Sequence, residues 1–320
     1  MNTKPNASPE IPSGDLPGLN SSSPAVVLSP TRPAYWSVRR ELWENRSIYI
    51  APLAVAAVYA IGFLVSLLRL PRSLREMEAF DPVHQTHMLA QLYAHAAMLL
   101  MLTGFLVGIF YSLDALHGER RDRSILFWKS LPVSDLTTVL AKASVPFVIL
   151  PLVVFTTTVI LQIMMRFVSL AVAEVSGAGA PMLWARLPLL QMELVLLYGL
   201  VVIALWHAPL YAWLLLVSGW PRRAAFLWAV LPWIAISIFE LVAFHHTYVG
   251  ILLRDRIFGF AAHGFDLTDA SGAPIDPHFI PLSQLAPGRF LSSPGLWLGL
   301  VFAVVSLAAA VRLRRYRGPL

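Results

Sequence analysis

Residues with the means to do chemistry are sparse in this sequence. Glu193 and Glu240 lie inside long apolar runs. A charge at mid-membrane depth costs about 2.5–3.5 kcal/mol on insertion scales, which marks both as pathway candidates. Glu240, in ISIFELVAFHH, either lines a pathway or pairs with Arg254 or Arg256. His84 and His87 sit three apart near Asp81, and His245 adjoins His246. Interfacial histidines of this kind are commoner than metal ligands, so no metal site is expected. HExxH, GxSxG and GxxxxGK[ST] are all absent. The chain therefore lacks the motifs of zinc proteases, serine hydrolases and phosphate-cradling loops, and no catalytic or cofactor-binding residue is expected. The densest charge is ERRDR at 119–123, which opens the segment GERRDRSILFWKSLPVSD between two apolar runs.

Wound as a helix over 119–131, that segment is amphipathic. Ile125, Phe127, Trp128 and Leu131 fall on one arc, and Glu119, Asp122, Arg123, Lys129 and Ser130 on the other. Glu119 and Arg123 form an i,i+4 pair in the favourable order. Pro132 ends the helix because the residue before a proline is pushed toward extended backbone. Ser134 or Asp135 then caps the next helix. The charged arc is expected to face the cytosol. The apolar arc packs on the spans or on lipid, and the helix either docks a partner or only anchors the protein.

The elements that hold this segment follow from composition. Hydrophobic residues make up 57%, charged residues 13%, and the mean hydropathy is +0.67. A soluble domain carries about 25% charged residues. The fold expected is an all-α polytopic membrane protein with six transmembrane helices near 48–68, 88–113, 143–165, 190–217, 224–245 and 294–311. The fourth run is interrupted at His207-Ala208-Pro209, where proline removes a backbone donor. One kinked span is favoured there over two short ones. Residues 1–33 are Pro-, Ser- and Asn-rich and read as a disordered tail, with no signal peptide. Residues 34–46 place Trp36 and Trp43 on one face, with Arg39 and Arg46 intruding. This is either an interfacial helix with snorkelling arginines or a plain lead-in to the first span. The remainder, 47–320, is one membrane domain.

With the N-terminus inside, inner segments carry sixteen Lys and Arg and outer segments eight. That bias puts both termini in the cytoplasm. The net charge of +6 is then an orientation signal, and no nucleic-acid partner is expected. Gly104 and Gly108, Ala56 and Ala60, and Gly62 and Ser66 are spaced for close helix packing. The outer loop 246–293 is too long to be structureless.

The stretch GERRDRSILFWKSLPVSDLTTVLAK resembles the cytosolic coupling segment of type-2 ATP-binding-cassette (ABC) exporter permeases. The matching positions are Glu119, Arg120, Arg121, Ser124, Ile125 to Trp128, Pro132 with Ser134, and Lys142. Arg123-Ser124 stands where the family often has Gly-Thr. The resemblance implies a permease subunit in the bacterial inner (cytoplasmic) membrane, multi-pass and paired with a second copy of itself. Two copies of a separate ABC ATPase subunit would dock beneath and hold ATP and Mg. Glu119, Arg120, Arg123, Ile125, Trp128 and Pro132 would form the coupling surface, with Glu119 as the charged contact. Short helices of the outer loop would dip into the outer leaflet and form an outer gate, and the second and fifth spans would line the dimer seam. Two other functions stay open. An ion-driven secondary transporter needs several ionisable groups at mid-membrane. A non-transporting membrane anchor or sensor would recruit a cytosolic partner through the same helix.

Overall fold

The structure, a computed structural model, describes residues 31–67, 82–122, 133–175, 187–221, 223–268 and 280–316. Among these residues the chain is helical, with no strand and one isolated antiparallel bridge between Phe265 and Leu285. Six helical runs are long and apolar enough to cross a membrane. The architecture is that of an all-α, multi-pass membrane protein.

An outlying helix, α1 (Thr31–Glu44), leads through a turn at Asn45 and Arg46 into the first span, α2 (Ser47–Leu67). The second span is α3 (Pro82–Asp114), followed at once by the short α4 (His117–Arg121). The third begins as α5 (Asp135–Ser144), passes through a π-helical turn (Val145–Ile149) and continues as α6 (Leu150–Val175). Pro146 and Pro151 lie within and just beyond that turn. A missing N–H and a ring clash are what a widened turn relieves. α5 starts because Ser134 caps it, its Oγ accepting from the Thr137 N–H at 3.0 Å. Asp135 leaves the capping role to Ser134 and turns elsewhere.

The fourth run is α7 (Leu189–Trp206) and α8 (Ala208–Ser218), meeting at His207 with no loop between them. Pro209 has no N–H for the Leu205 carbonyl, so the hydrogen-bond ladder breaks there. The fifth span, α9 (Ala225–Phe244), is bounded by left-handed residues Ala224 (φ 54°) and His245 (φ 55°). The sixth is α13 (Pro294–Tyr316). Between them lie α10 (Tyr248–Phe258), α11 (Phe260–Gly264), a 3₁₀ turn (Leu282–Gln284) and α12 (Pro287–Ser292). The described part of the outer loop is thus built of short helices, as its length required.

The spans pack through small residues. A Cβ on Gly104 would stand 2.6 Å from a Val154 methyl, and one on Gly108 2.9 Å from the Tyr211 ring. These glycines let α3 lie against α6 and α8, which is how apolar helices associate where lipid removes the hydrophobic drive. Ala56 is buried in the same core. Gly62 is the exception: a Cβ there would meet nothing within 4 Å, so the Gly62 and Ser66 spacing makes no seam among the described residues. α9 is the least buried span, with Phe226, Trp228, Leu231 and Phe239 all exposed.

Candidate functional site

Six charged side chains from four helices converge at the end of the bundle where α1, α4, the start of α5 and the C-terminus of α13 meet. The centre is Glu41 of α1, fully buried at 0% exposure. Its carboxylate accepts from Lys142 Nζ at 2.9 and 3.1 Å, from Arg40 Nη2 at 2.7 Å and from the Tyr111 hydroxyl of α3 at 2.8 Å. Glu119 of α4 is 7% exposed. One oxygen meets Arg40 Nη2 at 2.6 Å and Lys142 Nζ at 3.1 Å, and the other meets Arg314 Nη2 at 3.4 Å. Arg314 of α13 also donates to Asp135 at the start of α5. The set Arg40, Lys142, Arg314 against Glu41, Glu119, Asp135 is charge-balanced, which is the condition for holding ions away from water.

Two groups at the rim feel the cluster. Burial opposes the charge on Arg40, and the carboxylates of Glu41, Glu119 and Glu44 outweigh it, raising its pKa above the ordinary guanidinium value. Burial raises the Glu44 carboxyl above its usual range, and Arg40, 3.5 Å away, only partly offsets this.

The placement corrects the expectation for Glu119. It does not lie on a solvent-facing arc; the three cations around it draw it inward. Arg120 is likewise buried, and its Nη1 donates to the Gly219 carbonyl at 2.8 Å and reaches the Trp220 and Pro221 carbonyls at 3.4 Å. Nearby, Ser218 Oγ accepts from the Leu116 N–H at 3.3 Å. Adjacent residues of α4 therefore fasten its backbone in two directions. Glu119 ties it to α1, α5 and α13, and Arg120 to the turn between α8 and α9. Arg123, Ile125, Trp128 and Pro132, with the rest of the segment expected as an amphipathic helix, lie outside the described residues; α4 is described as far as Arg121.

In α1 Glu41 enters the cluster from the side away from Trp36 and Trp43, and Arg40 reaches it from the flank. Trp36 and Trp43 are exposed, and Arg39 does not snorkel away from them. Its guanidinium lies 5.1 and 4.8 Å from the two ring centroids, a cation–π arrangement.

At the other end, α10 turns back along α9. Glu240 accepts from the Val249 N–H at 2.8 Å, satisfying an orphan donor in the first turn of α10. Its carboxylate is therefore a cap on that helix and not the partner of Arg254 or Arg256. Arg256 instead reaches the break in the fourth run. It donates to the Trp206 carbonyl at 3.3 Å and the Gly295 carbonyl at 2.8 Å, and stands 4.4 Å from the Trp206 ring centroid. In return, the Trp206 indole donates to the Asp255 carbonyl at 3.1 Å. The His207 ring places one nitrogen 3.0 Å from the Ile203 carbonyl and the other 3.1 Å from the Ile257 carbonyl. A neutral imidazole donates to one of these; only the imidazolium donates to both. Each helix end thus satisfies the other's carbonyls. α10 therefore meets the fourth run at its break, about 18 Å along the helix from Ser218 at 1.5 Å per residue.

Glu193, on α7, is half-buried, and its Oε2 has no hydrogen-bond partner among the described residues. It joins neither the charge cluster nor the junction at His207. Among the described residues no group of three or more His, Asp or Glu is placed to hold a metal ion. Sequence reasoning missed Glu41, Tyr111, Arg314 and the Trp206–Arg256 junction. The available signal was modest: Lys142 interrupts an apolar stretch, and Glu41 faces away from the tryptophans of its own helix. No family model, curated protein or solved structure matches the chain.

Proposed function

We propose that this chain is the permease subunit of an ATP-driven ABC exporter of the bacterial inner membrane, working as a pair with a second copy and driven by two copies of a separate ATPase. The observation that carries the reading is the double fastening of α4. A partner that displaces residues 119–132 pulls, through Glu119, on the start of the third span and the end of the sixth. Through Arg120 it pulls on the turn joining the fourth and fifth. A segment that only anchored the protein to lipid would need no such ties to four spans. Buried charge pairs resist being stretched apart, since breaking one leaves an uncompensated ion at a cost of about 3–5 kcal/mol. The ties therefore transmit force instead of yielding. In this reading Glu119 and Arg120 are the internal end of the lever, and the ATPase meets the residues beyond them, Ile125 and Trp128 among them. Closure of the ATPase pair would shift the spans between inward-open and outward-open arrangements. α10 and α11 would serve as the outer gate, and the exposed face of α9 with α3 as the seam between copies.

The test is photo-crosslinking in native membranes from a benzoylphenylalanine residue placed at position 128. The expected product joins the chain to a protein bearing a GxxxxGK[ST] motif. Crosslinks to lipid alone, or to a protein that binds no nucleotide, would refute the assignment and favour an anchor.

A further inference from the structure

Three large aromatic side chains of α1 remain exposed. Tyr35, Trp36 and Trp43 keep 60%, 58% and 67% of their surface accessible. Trp36, Arg39 and Trp43 are three and four residues apart and share one face of the helix. The Arg39 guanidinium stands 5.1 Å from the Trp36 ring centroid and 4.8 Å from that of Trp43, and Tyr35 meets Trp36 edge-on at 5.5 Å. The rings hold the guanidinium in place and leave its N–H donors unused, for among the described residues Arg39 has no carboxylate or carbonyl partner.

This face is fixed in its outward position. Glu41, on the side of α1 away from the rings, is buried and bound to Lys142 at 2.9 Å and Tyr111 at 2.8 Å. Rolling the helix to cover the tryptophans would take that carboxylate out of the charge cluster. Two observations say what meets the face instead. The first is position. Trp43 stands four residues before Ser47, where the first span begins. Trp220 and Trp228, 5.7 Å apart and half-exposed, lie near Arg120 at the same end of the bundle. Tryptophans at that level belong to the lipid headgroup zone. The second is charge. The two acids of α1, Glu41 and Glu44, are engaged by Arg40 and Lys142, so the exposed face presents Arg39 with no balancing carboxylate.

We propose that α1 binds an anionic phospholipid in the leaflet at the ion-cluster end of the bundle. The lipid phosphate accepts from Arg39, whose planar fork of donors suits a phosphate, while the Trp36 and Trp43 rings lie against the first methylenes of an acyl chain. A soluble phosphate would satisfy Arg39 and leave the rings in water. A zwitterionic lipid offers the same phosphate beside a choline cation, which Arg39 repels. A headgroup with net negative charge is therefore preferred. The inference concerns α1 alone and does not depend on any ATPase.

The test uses the full-length chain with benzoylphenylalanine at position 35, in nanodiscs of four parts phosphatidylcholine to one part phosphatidylglycerol. Parallel samples carry a tritiated acyl chain on one lipid or the other. After illumination, the label joined to the chain is compared with the bulk lipid ratio. The expected result is capture of phosphatidylglycerol about fivefold above its share, the usual effect of one arginine at an anionic surface. Arg39→Gln should return capture to the bulk ratio. Trp36→Leu combined with Trp43→Leu keeps the charge, removes the rings and should lower the enrichment about twofold. Crosslinks to protein alone, capture in the bulk ratio with Arg39 present, or an enrichment that survives Arg39→Gln would each overturn the site. None of these results bears on ATP coupling, which is read by the crosslink at position 128.

Discussion

Replacing Glu41 by glutamine removes one negative charge from the centre of the ion cluster and preserves the shape of the side chain. Tyr111 keeps an acceptor. Lys142 keeps the same oxygen at 3.1 Å, now uncharged, and the Glu119 carboxylate at 3.1 Å, while its 2.9 Å contact and the 2.7 Å contact of Arg40 are lost. Three cations, Arg40, Lys142 and Arg314, then face two carboxylates, Glu119 and Asp135. At exposures of 0–7% for Glu41, Glu119, Lys142 and Arg314, water does little to screen the imbalance. The expected cost is about 3–5 kcal/mol, the usual consequence of orphaning one buried ion. Adding Lys142→Met restores the balance at two against two. The double variant should therefore be more stable than the sum of the two single losses by about 2 kcal/mol, within the range of coupled neighbours. The assay is unfolding by SDS in bicelles, followed by tryptophan fluorescence, for the wild type, both single variants and the double. A Glu41→Gln loss under about 1 kcal/mol, or a double variant that is merely additive, would refute the argument that these charges are held together against a desolvation cost.

Four further outcomes are expected. Gly104→Ala should destabilise by about 1–3 kcal/mol in the same assay, with partial rescue by Val154→Ala, because its methyl has no room against α6; Gly62→Ala should be neutral. Glu240→Ala should cost about 1 kcal/mol and speed amide exchange in the first turn of α10 specifically, as the loss of a helix cap does. Arg256→Gln should loosen the outer segment, raising exchange across Tyr248–Gly264 while leaving the ion-cluster end unchanged. Pro209→Ala should supply the missing N–H to the Leu205 carbonyl, straighten the fourth run and weaken the Trp206 and His207 contacts to α10, with the same exchange signature as Arg256→Gln.

The spans were legible in the sequence because a bilayer imposes a simple rule on length and polarity. The first, fifth and sixth begin within a residue of where the apolar runs placed them. The third is longer than its apolar run: helix begins at Asp135 and ends at Val175. Polar residues at its two ends hid that continuity. The kink at His207 was readable because proline acts locally. The ion cluster was not readable, since its members lie far apart in the chain, from Arg40 to Arg314, and hydropathy assigns each to a loop or a span end. Charges at such positions look solvated until the fold shows that helix ends converge. Glu119 illustrates the point. Helical phase put it on an arc facing the cytosol, whereas the structure buries its carboxylate against Lys142 and Arg314. Glu240 looked functional by depth alone, yet the chain's reversal at His245 brings the Val249 N–H to it.

The central claim, that residues 119–132 form a cytosolic lever gripped by another protein, is tested most directly by labelling one position. The chain has no cysteine, so Leu126→Cys supplies a single thiol. A membrane-impermeant maleimide is applied to spheroplasts and to inside-out vesicles, the latter before and after peripheral proteins are stripped. The account predicts no labelling in spheroplasts, slow labelling in native inside-out vesicles, and labelling several-fold faster once the vesicles are stripped. Rapid labelling in spheroplasts, or a rate in inside-out vesicles that stripping leaves unchanged, would contradict it.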